Sequence, residues 1–92
     1  MTNSTKLPSA KEMIAPLIQV LSSSNREFGV KEIEESVSML LNLSSEQLSI
    51  PHDKSRTEYQ YRLAWTRSYA KKQGLAISPR KKIWVLPSSA NH

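Results

Sequence analysis

Apolar residues recur at helical spacing near the start of the chain and predict a first amphipathic helix. Its buried stripe would consist of Met13, Ile14, Leu17, Val20 and Leu21. Ser9 and Glu12 stand just before this stripe at the spacing of a capping box, so we expect the helix to begin there. Pro16 cannot donate a backbone hydrogen bond, and it predicts a kink or a loosened turn about two turns into the helix.

A second helical pattern follows, and we expect Phe28 and Gly29 to lead into it. Its buried stripe would consist of Val30, Ile33, Val37, Leu40 and Leu41. The acidic residues Glu32, Glu34 and Glu35 fall in its first turns, where the helix dipole favours negative charge. A second capping box, from Ser44 to Gln47, predicts a short helical turn that buries Leu43 and Leu48.

The longest helix is predicted over residues 55–73. A third box, from Ser55 to Glu58, would open it, and Gly74 stands where a C-cap glycine belongs. Residues 75–78 and 83–86 then read as two short strands joined by residues 79–82. The sequence therefore predicts a mostly α fold with a small β-hairpin, in the order of a winged helix-turn-helix. In that architecture the long helix can enter a major groove while the hairpin wing touches the adjacent backbone.

The length of 92 residues suits one domain. We expect a flexible N-terminal lead over residues 1–8, the winged-helix domain over 9–87 and a disordered tail over 88–92. The chain has no cysteine, which excludes disulfides and thiolate metal sites. It has no apolar run of membrane-spanning length and no signal-peptide pattern. We therefore expect a cytoplasmic protein with no membrane partner.

Charge is unevenly distributed along the chain. Residues 1–50 carry four Lys and Arg against six Glu, whereas residues 51–92 carry nine Lys and Arg against two acidic residues, a net charge of +7. Such asymmetry favours a polyanionic partner for the second half, either nucleic acid or an anionic membrane. An ordinary solvated face explains the composition equally well.

The long helix, divided by face at about 100° per residue, supplies the candidate base contacts. We place Leu63, Thr66, Ala70 and Gln73 toward the core, flanked by Trp65 and Tyr69. The opposite row would be Gln60, Ala64, Arg67 and Lys71. Glutamine can pair with adenine and arginine with guanine, and a small residue between them lets the helix approach closely. Each of these residues also reads as an ordinary exposed helix position.

Phosphate contacts are predicted at both ends of this region. Lys54, Arg56 and Thr57 lie at the start of the helix, where a helix N-terminus favours phosphate. Arg80, Lys81 and Lys82 form a compact positive cluster at the wing tip that suits the DNA backbone. The tyrosines of the helix and Trp65 could form a base-stacking stripe. Core packing accounts better for Trp65, Tyr69 and Trp84, while Tyr61 is left open.

The sequence carries no convincing catalytic or metal site. Asp53 and Glu58 superficially echo a metal-dependent nuclease motif, but the gap between them is too short for the strands that present such groups. The two histidines, His52 and His92, are too few for a dedicated zinc site. With two glycines the chain cannot form a glycine-rich phosphate loop. We expect no catalysis by this chain, no cofactor and no metal.

Several residues of the second half occur in the order and spacing of a known family. Arg62 and Trp65 lie three apart on the long helix, Gly74 and Leu75 end it, and the hairpin ends in Trp84. The chain resembles, over about residues 10–87, the N-terminal winged-helix domain of Mrr-type restriction endonucleases. Pro16 and residues 31–33, Lys-Glu-Ile, agree more loosely. Two positions depart from the family pattern: Lys82 replaces a common glycine in the wing, and Ala70 replaces a larger apolar residue.

The resemblance implies that this domain recognises or holds double-stranded DNA, while a separate C-terminal nuclease domain cuts it. We expect that nuclease domain to be absent from this chain, which leaves an excised piece and a stand-alone relative as alternatives. Two other functions stay open. One is a protein-interaction module that uses the acidic second helix. The other is binding of RNA or single strands through Tyr61 and its neighbours.

Overall fold

The computed structural model describes residues 7–87, and about half of them are helical. A three-stranded antiparallel sheet in the order β1-β3-β2 accompanies the helices. The prediction of a mostly α fold is confirmed, and the arrangement is compatible with a winged helix. In chain order the elements are α1 (Ile14–Ser22), β1 (Phe28–Gly29), α2 (Val30–Leu40), α3 (Ser45–Ser49), α4 (Glu58–Lys72), β2 (Ile77–Arg80) and β3 (Ile83–Val85).

The predicted capping box before α1 is present. The Ser9 amide donates to Glu12 Oε1 at 2.7 Å, and the Glu12 amide donates to Ser9 Oγ at 3.2 Å. Regular helix begins only at Ile14, after a turn at residues 10–13. Pro16 therefore lies in the first turn, where backbone N–H groups have no partner within the helix anyway. The predicted position two turns into the helix is wrong for this reason. The loosened turn of the prediction is present just before Pro16, where the amides of Met13 and Ile14 donate to the carbonyls of Ala10 and Lys11, three residues earlier.

The start of the domain is anchored to α4. Leu7 is 6% exposed and belongs to the core. Nη1 of Arg62 donates to the carbonyl oxygens of Leu7 at 3.0 Å and of Pro8 at 3.2 Å. The buried hydroxyl of Thr66 donates to the carbonyl of Ala10 at 2.7 Å. The packed domain thus includes residues 7 and 8 of the predicted lead. The rest of that lead and the predicted tail over 88–92 lie outside the described residues.

Strand β1 was not expected from the sequence. Phe28 pairs with Trp84 and Gly29 with Ile83. The segment predicted only to lead into α2 therefore adds an edge strand to the predicted hairpin, next to β3. Two residues are too short to show the alternation that identifies a strand. The predicted hairpin is confirmed with shifted bounds, since Arg80 lies in β2 and pairs with Ile83. Only Lys81 and Lys82 remain in the turn.

The capping box predicted for α3 is confirmed, whereas the one predicted for α4 is not. The box at α3 is present: the Gln47 amide donates to Ser44 Oγ at 3.1 Å, and the Ser44 amide donates to Gln47 Oε1 at 2.8 Å. The box predicted for α4 between Ser55 and Glu58 is wrong. Thr57 caps α4, its Oγ1 accepting from the Gln60 amide at 3.2 Å while Gln60 Oε1 accepts from the Thr57 amide at 3.0 Å.

One core lies between α1, α2, α4 and the sheet. Leu40, predicted for the buried stripe of α2, is 43% exposed and lies outside this core. Leu43 and Leu48 pack against the core as expected, although both remain partly exposed. The largest fully buried side chains come from the turn before α1 and from α1, α2 and α4: Met13, Leu17, Leu21, Ile33, Val37, Leu63 and Thr66.

Candidate nucleic-acid interface

Helix α4 turns one face to the core and the other to solvent. Its buried residues are Tyr59, Leu63, Thr66 and Ala70. Trp65 is 47% exposed, so its predicted place beside the core is wrong. At 100° per residue, Trp65 lies about 130° around the helix from the centre of the buried stripe. This position leaves the indole exposed despite its large apolar surface. Base stacking was one interpretation of Trp65 from the sequence and core packing was preferred, although the helical spacing places this residue on the exposed face.

A groove runs along the exposed face of α4. Its volume is about 330 Å³, and Arg56 and Tyr61 flank it near the start of the helix. The guanidinium carbon of Arg56 lies 5.3 Å from the centroid of the Tyr61 ring. The small side chains of α4 leave the space in front of the indole open. The groove is lined by Arg56, Tyr61, Ala64, Trp65 and Ser68.

The loop before α4 holds Arg56 in place. Pro51 and Thr57 form an antiparallel bridge, and the His52 amide donates to the Arg56 carbonyl at 3.0 Å. Asp53 Oδ1 accepts from the amides of Ser55 and Arg56, both at 2.9 Å, and these bonds lower the pKa of Asp53. Its other oxygen, Oδ2, is 3.6 Å from Arg56 Nη2. Arg56 and the neighbouring Lys54 are both exposed, as predicted for phosphate contacts.

Tyr61 is held by its neighbours and is only half-exposed. The His52 imidazole stacks on its ring with centroids 3.7 Å apart and planes inclined by 12°. His52 Nδ1 is 3.0 Å from Glu58 Oε1, and Arg62 Nε donates to Glu58 Oε2 at 2.7 Å. The Arg62 hydrogen bond, followed by that of His52, lowers the pKa of Glu58. Glu58, expected to cap α4, instead links this stack to Arg62.

The predicted base-reading row on α4 is split between two environments. Lys71 is exposed and Ala64 lines the groove, whereas Gln60 and Arg67 are half-buried. Gln60 caps α4 through Thr57, and its Nε2 also donates to Glu34 Oε1 at 3.5 Å. Burial lowers the pKa of Arg67, opposed by the charge of Glu34. Arg67 Nη1 is buried without a hydrogen-bond partner among residues 7–87.

Among the residues that the structure describes, two of the three predicted wing cations have no carboxylate partner, and the third has one. Arg80 forms a salt bridge with Glu27, with Nη1 and Oε2 3.2 Å apart. Lys81 and Lys82 are exposed, and neither forms a salt bridge with a carboxylate of residues 7–87. The Lys82 carbonyl accepts from the Val30 amide at 3.0 Å. A depression of about 400 Å³ connects this turn to α4, lined by Gly29, Val30, Lys31, Glu34, Gln60 and Lys82.

No group of three or more His, Asp or Glu side chains within residues 7–87 is placed to hold a metal ion. Among the same residues, no helix has the length and hydropathy to cross a membrane.

Comparison with known proteins agrees with the resemblance carried by Arg62, Trp65, Gly74 and Trp84. No curated protein and no solved structure matches the chain. The family model described as the Mrr N-terminal domain matches residues 11–91, which is most of the sequence. The chain belongs to the Mrr N-terminal domain family.

Proposed function

We propose that this domain binds double-stranded DNA, with the exposed face of α4 toward the major groove and the wing turn on the phosphate backbone. The observation that carries the proposal is a set of exposed lysines with no salt bridge to a carboxylate of residues 7–87. Each phosphate that a lysine neutralises releases counterions, which favours binding. All seven lysines of residues 7–87 meet this description, and the proposed contacts are the five of the second half: Lys54, Lys71, Lys72, Lys81 and Lys82.

The shape of α4 supports an approach to the bases. The helix has 15 residues and is therefore about 22 Å long, and Ala64 and Ser68 keep its exposed face low. We propose Ser68 as its base-facing polar residue, while Lys71 contacts phosphate with the other lysines. Gln60 and Arg67 would have to leave their places beside Thr57 and Glu34 to reach a base. We therefore propose that they support α4 rather than read sequence.

We further propose that the domain binds without cutting. The matched family is described as an N-terminal domain, and the resemblance implies that a separate nuclease domain performs cleavage. Arg56 and Thr57, at the start of α4, complete the proposed surface. Arg56 would contact phosphate directly, whereas the Thr57 hydroxyl is engaged in capping and would offer only its position at the helix N-terminus.

The test is fluorescence anisotropy with a labelled blunt duplex of random sequence at several salt concentrations. If about four phosphates are contacted, the log–log slope is near −3.6, a loss of roughly 150-fold in affinity from 50 to 200 mM salt. Removing both wing charges with Lys81→Ala/Lys82→Ala should flatten the slope by about 1.8. Lys81→Arg/Lys82→Arg is the matched control, because it keeps both charges and should keep the slope.

Absence of binding even at low salt would overturn the proposal. An equal slope for the alanine and arginine variants would show that the wing does not contact the DNA, and α4 alone would then be the proposed contact surface.

A protein-interaction module is the second candidate, and one observation favours it. Met39 is 79% exposed and Leu40 43% exposed on α2, beside a depression of about 420 Å³ that Val20 of α1 also lines. Exposed apolar side chains grouped around a depression are typical of protein contact sites. Met39→Ser/Leu40→Ser should abolish binding of a protein partner and leave the salt slope with duplex DNA unchanged.

A further inference from the structure

The groove on α4 has features that a rod-like duplex does not need. Trp65 forms one wall, with its ring 5.7 Å from that of Tyr69 and inclined to it by 34°. A single exposed tryptophan needs no functional explanation. Here the indole borders a concave site that also contains an arginine, and this combination of a flat ring and a cation fits a specific ligand chemistry.

The groove has room for a planar ring in front of Trp65. Ala64 and Ser68 are four residues apart on α4, so their short side chains lie one above the other on the same face. The volume of about 330 Å³ is at the lower end of small-ligand sites. A flat group entering there would meet the indole without displacing a large side chain.

The opposite side of the groove is preorganised. Tyr61 is fixed by the stack with His52, and the backbone of Arg56 is fixed by the hydrogen bonds to His52 and Asp53. The Arg56 guanidinium keeps 47% of its side chain exposed. Among residues 7–87 the carboxylate paired with Arg56 is that of Asp53, through Oδ2 at 3.6 Å, while Oδ1 accepts hydrogen bonds from Ser55 and Arg56 within the loop. A ligand therefore meets a fixed Tyr61 ring and an Arg56 side chain that extends from a fixed backbone, which lowers the entropic cost of binding.

We propose that this groove binds one unpaired DNA nucleotide, with the base stacked on Trp65 and the adjacent phosphate on Arg56. The inference rests on the proposed function, since the duplex that carries the nucleotide is held by the exposed lysines. The positive charge around the groove favours a nucleotide, which carries a negative phosphate, over a peptide. Lys71 and Lys72 continue the same helix beyond the groove, and the second half of the chain carries a net charge of +7. Stacking on an aromatic ring tolerates any base, so the groove adds affinity for a strand end without sequence preference.

The test compares three labelled DNAs of the same duplex sequence. One is blunt, one carries a short single-stranded thymidine overhang, and one carries an overhang of equal length made of abasic nucleotides. The thymidine overhang should bind about tenfold more tightly than the blunt duplex, and the abasic overhang should lose most of that gain. Trp65→Ala should abolish the gain, so that this variant binds the overhang and the blunt duplex equally, and Trp65→Phe should retain a large part of the gain. Binding should also quench tryptophan fluorescence, because Trp84 is only 9% exposed and the signal change comes from Trp65.

The possible failures are distinguishable. If affinity for the blunt duplex depends on salt but the thymidine overhang adds no affinity, nucleotide binding in the groove is overturned and the proposed function stands. A gain that survives in Trp65→Ala, or an equal gain from the abasic overhang, would also overturn it. If single strands quench Trp65 while blunt duplex is not bound, the groove stands and duplex binding fails. If no DNA binds, both proposals fail, and quenching by a proline-rich peptide in that case would identify a peptide groove.

Discussion

The hydroxyl of Tyr59 donates a 2.6 Å hydrogen bond to the backbone carbonyl of Glu34, a residue 25 positions earlier in the chain. Tyr59 is 4% exposed, and burial, followed by the charge of Glu34, raises its pKa. The hydroxyl thus stays protonated and remains a donor at any physiological pH. This bond joins the start of α4 to the middle of α2, and it helps to fix which face of α4 is turned to solvent.

The first prediction concerns removal of the Tyr59 hydroxyl. Tyr59→Phe keeps the buried ring and removes one hydrogen bond, so it should lower the free energy of unfolding by about 1 kcal/mol. Urea denaturation should show a lower midpoint with an unchanged slope. Tyr69→Phe is the matched control, since within residues 7–87 the Tyr69 side chain contacts Trp65 and Lys11 through its ring and makes no hydrogen bond through its hydroxyl. It should change stability by less than about 0.5 kcal/mol. Equal effects of the two substitutions would show that the bond to Glu34 contributes nothing.

How far the sequence predicts the fold depends on how local each signal is. The boxes at Ser9 and Ser44 were predicted correctly because both partners lie within one turn. At α4 two overlapping boxes fit the sequence, starting at Ser55 and at Thr57. The bridge between Pro51 and Thr57 and the hydrogen bonds of Asp53 decide in favour of Thr57. These are contacts of a loop that the helical pattern does not describe.

The candidate site was predicted less completely, for two physical reasons. Trp65 was placed beside the core because large rings usually need burial, yet Tyr59, Leu63 and Thr66 already fill the buried stripe. The prediction of free charges at the wing failed at Arg80. Its partner Glu27 lies 53 residues earlier, and pairing over that separation follows from the fold rather than from local sequence. The exposure of Lys81 and Lys82 was predicted because both occupy a hairpin turn.

The second prediction concerns acid stability and Glu58. The hydrogen bonds of Arg62 and His52 lower the pKa of Glu58 in the folded state, so the stabilisation exists above the unfolded-state pKa and is lost as pH falls through the folded-state pKa. Glu58→Gln should therefore cost roughly 0.5–1 kcal/mol near neutral pH and have little effect well below pH 4. Thermal unfolding of both proteins across this range gives the comparison. Glu35→Gln, at an exposed position of α2, controls for the loss of one negative charge. A constant cost for Glu58→Gln at all pH values would contradict the prediction.

The third prediction separates backbone strain from charge in the wing. Lys82 has a φ of 63°, in the left-handed region that favours glycine. Lys82→Gly should stabilise the domain by about 0.5–1 kcal/mol, since relief of the strained backbone exceeds the added entropy of the unfolded chain. The melting temperature should rise by roughly 3–6 °C. Lys81→Gly removes the same charge from the same turn at a residue without positive φ, and it should destabilise. A lower melting temperature for Lys82→Gly than for the wild type would be inconsistent with strain at this position.

The fourth prediction tests whether Glu27 restrains the proposed DNA contact of Arg80. Their salt bridge leaves the Arg80 side chain 62% exposed but neutralises part of its charge. Glu27→Gln should release the guanidinium, strengthen binding of blunt duplex and steepen the log–log salt slope by about 0.9, the value for one additional phosphate contact. Glu46→Gln changes net charge by the same amount at an exposed position of α3 and serves as the control. If both variants strengthen binding equally, net charge alone is responsible. If only Glu27→Gln steepens the slope, Arg80 joins Lys81 and Lys82 on the backbone once its carboxylate partner is gone.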